Sequence, residues 1–301
     1  MGSFLLGGRL PPSEWYPAGE PGVETRTIAL RSGLRTRVIS QGPAEGTSVV
    51  LLHGWACSVF SFRENLGALA EAGYRAIAID LKGHGLSDKP QRASEYTLDA
   101  MCTHVVDVLD ALELDRVALV GHSMGGAIAT TIAIGAPDRV TRLALLAPVG
   151  FGAVSLLKVG QLLTPRPTRV LIPYLVPRWA IRVVLTLASG EHPSFEPRAV
   201  DEFWAPTQFP DFARAMRDLL HAFHWDPCEE DELRGVRAPT LVMFGTVDRM
   251  VQGGAAERYV RCLPRARLQY VKGAGHILQE EAADQVNAAL VGFLREAPPS
   301  A

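Results

Sequence analysis

Cysteine is scarce in this chain: Cys57, Cys102, Cys228 and Cys262 are the only four in 301 residues, widely spaced and without a CxxC pair. That spacing argues against a zinc ribbon or a dithiol redox motif, and isolated thiols of this kind are expected to stay reduced and partly buried, as in a cytoplasmic protein. An excess of either charge is also missing. Lys+Arg 30 against Asp+Glu 32 leaves a net charge of −2, which removes the electrostatic footprint of a nucleic-acid binder. No GxxxxGK[ST] or GxGxxG follows any strand-like run, so nucleotide and dinucleotide cofactors have no support. The first residues, Met1 to Arg9, lack the basic start and the apolar length of a secretory signal.

A long uninterrupted apolar run is lacking too. Val117 to Pro137 approaches the length of a membrane span, but Gly121-His122-Ser123-Met124-Gly125-Gly126 lies inside it and a strand followed by a helix explains it better. The region 156–187 is broken by Pro165, Pro167, Pro173 and Pro177, and carries Lys158, Arg166, Arg169, Arg178 and Arg182 with no acidic residue. It reads as short helices covering a pocket, with no stable membrane insertion.

What is present is an ordinary globular composition, 48% hydrophobic and 21% charged, in a chain long enough to bury one large core. Short β-branched runs alternate with helical patterns, the sequence form of a mainly parallel sheet wrapped by helices. Residues 24–31 and 34–40 predict a hairpin, and strands follow at 48–52, 75–80, 117–120, 142–146, 240–244 and 267–271. Helices are expected near 59–72, 97–112 and 277–295. The alternation stops between Phe151 and Arg234, a Pro-, Trp- and Phe-rich stretch with helical but no strand character. The reading is therefore an N-terminal extension (1–23), an α/β core (24–150 and 235–301) and a helical cap (151–234) inserted after the sixth strand.

The strongest chemical signal is Gly121-His122-Ser123-Met124-Gly125, a serine between an apolar strand and an Ala-rich helix. A sharp strand-to-helix turn pushes one side chain clear of the sheet, and small residues two before and two after it avoid collisions. The serine then lies beside a helix N-terminus, whose N–H groups favour developing negative charge.

With that motif the chain resembles the α/β-hydrolase superfamily over nearly all of residues 24–296. His53-Gly54-Trp55 resembles the family's oxyanion loop, and Asp80 to Asp88 the turn after the fourth strand. Pro239 to Asp248 resembles the strand delivering the acid, and Gly273-Ala274-Gly275-His276 the loop delivering the histidine. The resemblance implies an α/β fold with a mostly parallel, eight-stranded α/β-hydrolase sheet. It also implies a catalytic set in the chain order Ser123, Asp248, His276. A serine hydroxyl needs a base within hydrogen-bond reach; His276 is the candidate base and Asp248 the group that orients it. The oxyanion donors are expected to be the backbone N–H groups of Trp55 and Met124.

Five other histidines are weighed against a site role. His122 is expected to pack beside the nucleophile, and His53 and His84 to brace their own loops. His221 and His224 share a helical face at i, i+3, but no third ligand has zinc spacing beside them. Asp80 reads as a turn residue and a spare acid, and Asp107 and Asp110 as a solvated helix face.

Relatives that open epoxides or remove halides place an aspartate where Ser123 stands, so acyl transfer is expected instead. An HGGG-type lipase loop and the His-Gly-Gly-Pro-Gly loop of proline-releasing peptidases are absent. Ile277 stands where C–C bond hydrolases often carry Trp, whereas haloperoxidase-like perhydrolases share the His-Gly-Trp and Ser-Met-Gly-Gly patterns. The expectation is a cofactor-free, metal-free serine carboxylesterase acting on small to medium apolar esters, with Trp204, Phe209, Phe223 and Trp225 as candidate substrate-binding walls. A lactone or C–C bond hydrolase, an acyltransferase and a non-catalytic ligand receptor are the alternatives.

Overall fold

Eight strands form one sheet in the computed structural model, which describes residues 10–151, 161, 176–191, 193, 195–227, 229–251 and 254–296. They are β1 (Glu24–Ala29), β2 (Arg35–Gln41), β3 (Ser48–Leu52), β4 (Arg75–Ile79), β5 (Val117–His122), β6 (Val140–Leu146), β7 (Thr240–Gly245) and β8 (Ala266–Val271). Their order is β1-β2-β4-β3-β5-β6-β7-β8; β2 pairs antiparallel with β1 and β4, and every other pairing is parallel. The central strands β5 and β7 are buried along their whole length, as parallel strands covered on both faces must be. This is why they read as continuous apolar runs. The order reverses between β3 and β5, and a crevice at the carboxyl ends of strands opens at such a switch point.

The helices are α1 (Arg63–Glu71), α2 (Leu98–Ala111), α3 (Met124–Gly135), α4 (Arg178–Ala188), α5 (Pro197–Thr207), α6 (Pro210–Ala222), α7 (Glu230–Leu233), α8 (Ala255–Cys262), α9 (Leu278–Glu281) and α10 (Ala283–Arg295). In α2 the expected apolar positions Leu98, Met101, Val105, Val108 and Leu109 are buried, and the Thr97 hydroxyl caps the helix by accepting from the Ala100 N–H. The described residues between β6 and β7 form α4 to α7 and no strand.

Four boundaries differ from the sequence reading. The first expected helix opens as a 3₁₀ turn, Val59–Phe62, because the Ser58 hydroxyl accepts from the Phe60 N–H. Strand β5 continues through Gly121 and His122, which pair with Leu145 and Leu146 although glycine is a poor strand former. Helix α8 was not anticipated: it has only eight residues, and its buried side is built mostly of small residues (Ala255, Ala256, Cys262) around Tyr259. The terminal helix is two, α9 and α10, broken at Ala282 (φ −133°, ψ 43°).

The N-terminal extension is part of the packing. Trp15 and Tyr16 are buried; the Tyr16 N–H donates to Glu202 of α5 (2.7 Å), and its carbonyl accepts from Arg37 of β2 (2.9 Å). Arg37 is itself ion-paired with buried Asp80, at 2.6 Å.

Candidate active site

Ser123 stands between β5 and α3 with φ 52° and ψ −115°, a conformation that non-glycine residues adopt only when their surroundings impose it. Those surroundings are backbone hydrogen bonds. The Ser123 N–H donates to the Leu146 carbonyl (3.0 Å), and the Ser123 carbonyl accepts from Gly126 (2.9 Å), Ala127 (3.3 Å) and Val149 (3.2 Å). The flanking glycines are required sterically. A Cβ on Gly121 would lie 2.3 Å from the Gly125 carbonyl oxygen, and one on Gly125 would lie 2.1 Å from that of Leu52. The turn therefore closes only with hydrogen at both positions.

Three side chains at the carboxyl ends of β5, β7 and β8 meet. His276 Nδ1 lies 3.0 Å from Asp248 Oδ2, and His276 Nε2 lies 2.9 Å from the Ser123 hydroxyl oxygen. With Nδ1–H donating to the carboxylate, Nε2 is left as the acceptor for the serine proton. All three side chains are nearly inaccessible to solvent. Asp248 Oδ1 accepts from the N–H groups of Met250 (2.7 Å) and Val251 (3.1 Å). Burial opposes ionisation of Asp248, but the His276 hydrogen bond and charge and these N–H groups outweigh it, and its carboxyl is held below the usual range.

The β3 loop approaches the serine directly: a Cβ on Gly54 would lie 3.2 Å from Ser123 Cβ and 3.0 Å from His122 Nδ1. Trp55, the next residue, donates its indole N–H to the Met216 carbonyl (3.1 Å). Met124 is the first residue of α3, where helix N–H groups have no acceptor within the helix.

The structural histidines behave as the sequence reading expects. His53 accepts from the Leu81 N–H at Nε2 (3.0 Å) and lies 2.8 Å from the Gly54 carbonyl at Nδ1, which ties the β3 loop to the β4 turn; burial lowers its pKa. His84 Nδ1 lies 3.1 Å from the Lys82 carbonyl. His122 Nε2 lies 3.0 Å from the carbonyl of His276, and burial followed by the neighbouring His276 pushes its pKa down to about 3. Asp80 is a turn residue: besides Arg37 it accepts from the N–H groups of Val59 (2.9 Å) and Leu86 (2.8 Å). Burial opposes its ionisation, but Arg37 prevails and holds its pKa at about 2.

Two expectations need correction. His221 and His224 do not share a helical face: α6 ends at Ala222, and Phe223 is extended (φ −71°, ψ 137°), which carries His224 off the helix. Asp107 and Asp110 are not merely solvated, since both pair with Arg31 and Asp110 also pairs with Arg139 at 2.8 Å.

The four aromatics after β6 divide. Trp225 packs edge-on against Trp55 (centroids 6.4 Å apart) and at a tilt against Phe223 (4.8 Å), which joins this pair to the β3 loop. Phe209 packs on Trp15 of the N-terminal extension and lines a cavity of about 220 Å³ with Leu86 and Phe212. Trp204 donates its indole N–H to the Val176 carbonyl (3.0 Å).

The sequence reading missed how the histidine loop is anchored. The His276 N–H donates to the carbonyl of Ala188, the last residue of α4 (2.7 Å). Glu281 accepts from the N–H of Gly275 (2.8 Å) with one oxygen and from that of Gly190 (2.6 Å) with the other. Burial raises the pKa of Glu281, and the two N–H groups oppose that rise. Its position five residues after His276 was the available signal. Among the described residues no group of three or more His, Cys, Asp or Glu side chains is placed to hold a metal ion. Cys57, Cys102 and Cys262 are free, and burial pushes the thiols of Cys57 and Cys102 up to about 12, which disfavours their thiolates; Cys228 lies outside the described residues.

A sheet of this order, with a strained serine, a histidine and an aspartate at its carboxyl edge, defines the class. The chain belongs to the α/β hydrolase fold family, whose model matches residues 47–283. It is an enzyme of that family. A dihydrolipoyllysine-residue acetyltransferase component of an acetoin cleaving system from Pseudomonas putida is 32% identical over 269 residues, 88% of this chain and 68% of that one. Carboxylesterase YbfK from Bacillus subtilis is 26% identical over 272 residues, 89% of this chain and 86% of that one. The crystal structure of the same esterase, CesB (YbfK), superposes with a TM-score of 0.75 at 24% identity, covering 92% of this chain and 93% of that one. A meta-cleavage product hydrolase, CumD, does so with a TM-score of 0.74 at 26% identity, covering 90% and 98%. No helix among the described residues is long and apolar enough to cross a membrane.

Proposed function

We propose that this enzyme hydrolyses carboxylic esters through an acyl-enzyme formed on Ser123. The observation that carries this reading is the unbroken hydrogen-bond chain Asp248–His276–Ser123, at 3.0 and 2.9 Å. The serine hydroxyl attacks the ester carbonyl while Nε2 of His276 takes its proton. Asp248 fixes the imidazole tautomer and stabilises the imidazolium that forms. The tetrahedral oxyanion is held by the backbone N–H groups of Trp55 and Met124. His276 then protonates the departing alcohol, and water repeats the sequence on the acyl-enzyme. The helices after β6 act as a cap that selects the substrate, with Phe223 and Trp225 walling the acyl group beside Trp55 and favouring small to medium apolar esters. Trp204 and Phe209 serve the packing of that cap.

A serine at the elbow supports acyl chemistry over the aspartate-based reactions of epoxide- and halide-cleaving relatives. A carboxylesterase is among the similar proteins, alongside a meta-cleavage product hydrolase and an acetyltransferase component, and the substrate panel below decides between them.

A fluorophosphonate should label Ser123, and Ser123→Ala should lose on the order of 10⁶ in kcat while staying folded. Turnover would be followed over p-nitrophenyl esters, lactones and ring-opened diketones, with and without an added alcohol. A label on another residue, or turnover of the diketones alone, would overturn the reading.

A further inference from the structure

A helix packed on a protein surface normally shows one apolar face and one polar one. Helix α4 shows two apolar faces. On the inner side Leu185 and Ala188 pack with Val200 and Ile277, and Ile181 packs against them. On the outer side Trp179 (68% exposed), Val183 (48%), Val184 (50%) and Leu187 (49%) stand in solvent. Trp179, Val183 and Leu187 recur every four residues, and with Val184 they cover an arc of about 140° at 3.6 residues per turn. These four are most of the large hydrophobic side chains exposed among the described residues, the others being Leu86 and Tyr270. Concentration of exposed apolar groups on one helix marks a surface made for contact.

The charges carried by the helix itself are of one sign. Helix α4 contains Arg178 and Arg182 and no carboxylate, and the sequence has no Asp or Glu from residue 151 to 190. Arg178 pairs with Asp201 of α5 at 2.6 Å, whereas no ion pair is formed by Arg182 among the described residues. The helix has 11 residues, about 16 Å, so it can lie on a bilayer but not cross it.

We propose that α4 seats this enzyme on an anionic lipid–water interface. The helix lies parallel to the surface, with Trp179, Val183, Val184 and Leu187 at the boundary of headgroups and acyl chains and Arg182 at the level of the phosphates. A second copy of the chain fits this face less well. In a two-fold contact the same patch meets itself, so α4 would oppose α4 with arginines on both sides and no carboxylate on either helix. Through the Ala188 carbonyl the docked helix ends at the His276 N–H, which places the membrane-facing element next to the site. The docking stands apart from the reaction proposed above, and its test reads binding rather than turnover.

The full chain would be sedimented with large unilamellar vesicles of phosphatidylcholine, alone or mixed with phosphatidylglycerol. The enzyme should partition onto the mixed vesicles and bind weakly to phosphatidylcholine alone. Trp179→Ala/Leu187→Ser should lower the partition coefficient about tenfold, and Arg182→Glu about fivefold on the mixed vesicles only. Both variants should retain the circular dichroism of the wild type and its turnover of a water-soluble ester. No partitioning by the wild type, or equal partitioning by the variants, would overturn the proposal. So would a dimer in analytical ultracentrifugation that the double variant dissociates while no vesicle binding is seen.

Discussion

The backbone N–H of His276 donates to the carbonyl of Ala188 at 2.7 Å, so the residue that faces Ser123 is bonded through its main chain to the end of α4. Two further links flank it: Glu281 bridges Gly275 and Gly190, and the Glu191 N–H donates to the Gly273 carbonyl at 2.9 Å. Space is correspondingly tight, since a Cβ on Gly190 would lie 1.9 Å from the Gly273 carbonyl oxygen. The helices after β6 and the histidine loop thus meet in a fixed register. The position of the imidazole depends on groups that never touch a substrate.

Glu281 is accordingly expected to act as a positioning residue. Glu281→Ala removes both acceptors and should lower kcat by about 10- to 100-fold with little change in KM, as small displacements of a base do. Glu281→Gln keeps one acceptor oxygen and should recover part of that loss. Parallel losses in kcat and thermal stability, with no rescue by Gln, would mean a purely structural role.

Trp55 is expected to act through its main chain. Trp55→Ala keeps the N–H and should change substrate preference or KM, because the ring contacts Trp225 and its N–H is satisfied by the Met216 carbonyl. Trp55→Pro removes the donor and should lose about 10²–10³ in kcat. Steady-state kinetics on one short ester would separate the two; equal losses in both variants would count against the assignment.

Asp80 is expected to matter for stability and not for turnover. Breaking a buried ion pair leaves the partner charge uncompensated, so Asp80→Asn should destabilise the protein by about 3–5 kcal/mol in urea unfolding. At a temperature where the variant remains folded, kcat should be near that of the wild type. A selective loss of kcat without destabilisation would make Asp80 an alternative acid for the site.

Acid should weaken the fold well above the carboxylate range. His104 and His122 are both held neutral by burial, with pKa values pushed down to about 3 from an ordinary value of 6.5. Above pH 6.5 neither state binds a proton there, so their contribution is fully present. Below it the unfolded chain takes up protons that the native one refuses, and stability falls until the native groups also protonate near pH 3. Each histidine contributes a slope of roughly 1.4 kcal/mol per pH unit in that window. Urea unfolding at pH 7, 6 and 5 should show the decline, and His122→Gln, which keeps a donor for the His276 carbonyl, should reduce it by one histidine's share. A flat profile would refute the assignment.

Sequence alone determined the sheet and the identity of the three residues at its edge. The β5 elbow is legible because its chemistry is local: a strained turn between an apolar strand and a small-residue helix tolerates only hydrogen at Gly121 and Gly125. Asp248 is legible because it follows the continuous apolar run of β7, and His276 because it follows the alternating Leu268-Gln269-Tyr270-Val271 of the edge strand β8 and a Gly-rich loop. The anchoring of His276 was invisible, since Ala188 is 88 positions away in the chain and contributes only a carbonyl that every residue possesses. The same holds for the division of the aromatics. Trp204, Phe209, Phe223 and Trp225 look alike as apolar rings within 22 positions, and only packing sends Trp225 to Trp55, Phe223 to Trp225 and Phe209 to Trp15. Composition also marked the region containing α4 as apolar and helical, but not that part of the apolar surface of α4 faces water. Burial depends on what lies opposite a side chain, and that is a property of the folded chain rather than of any window within it.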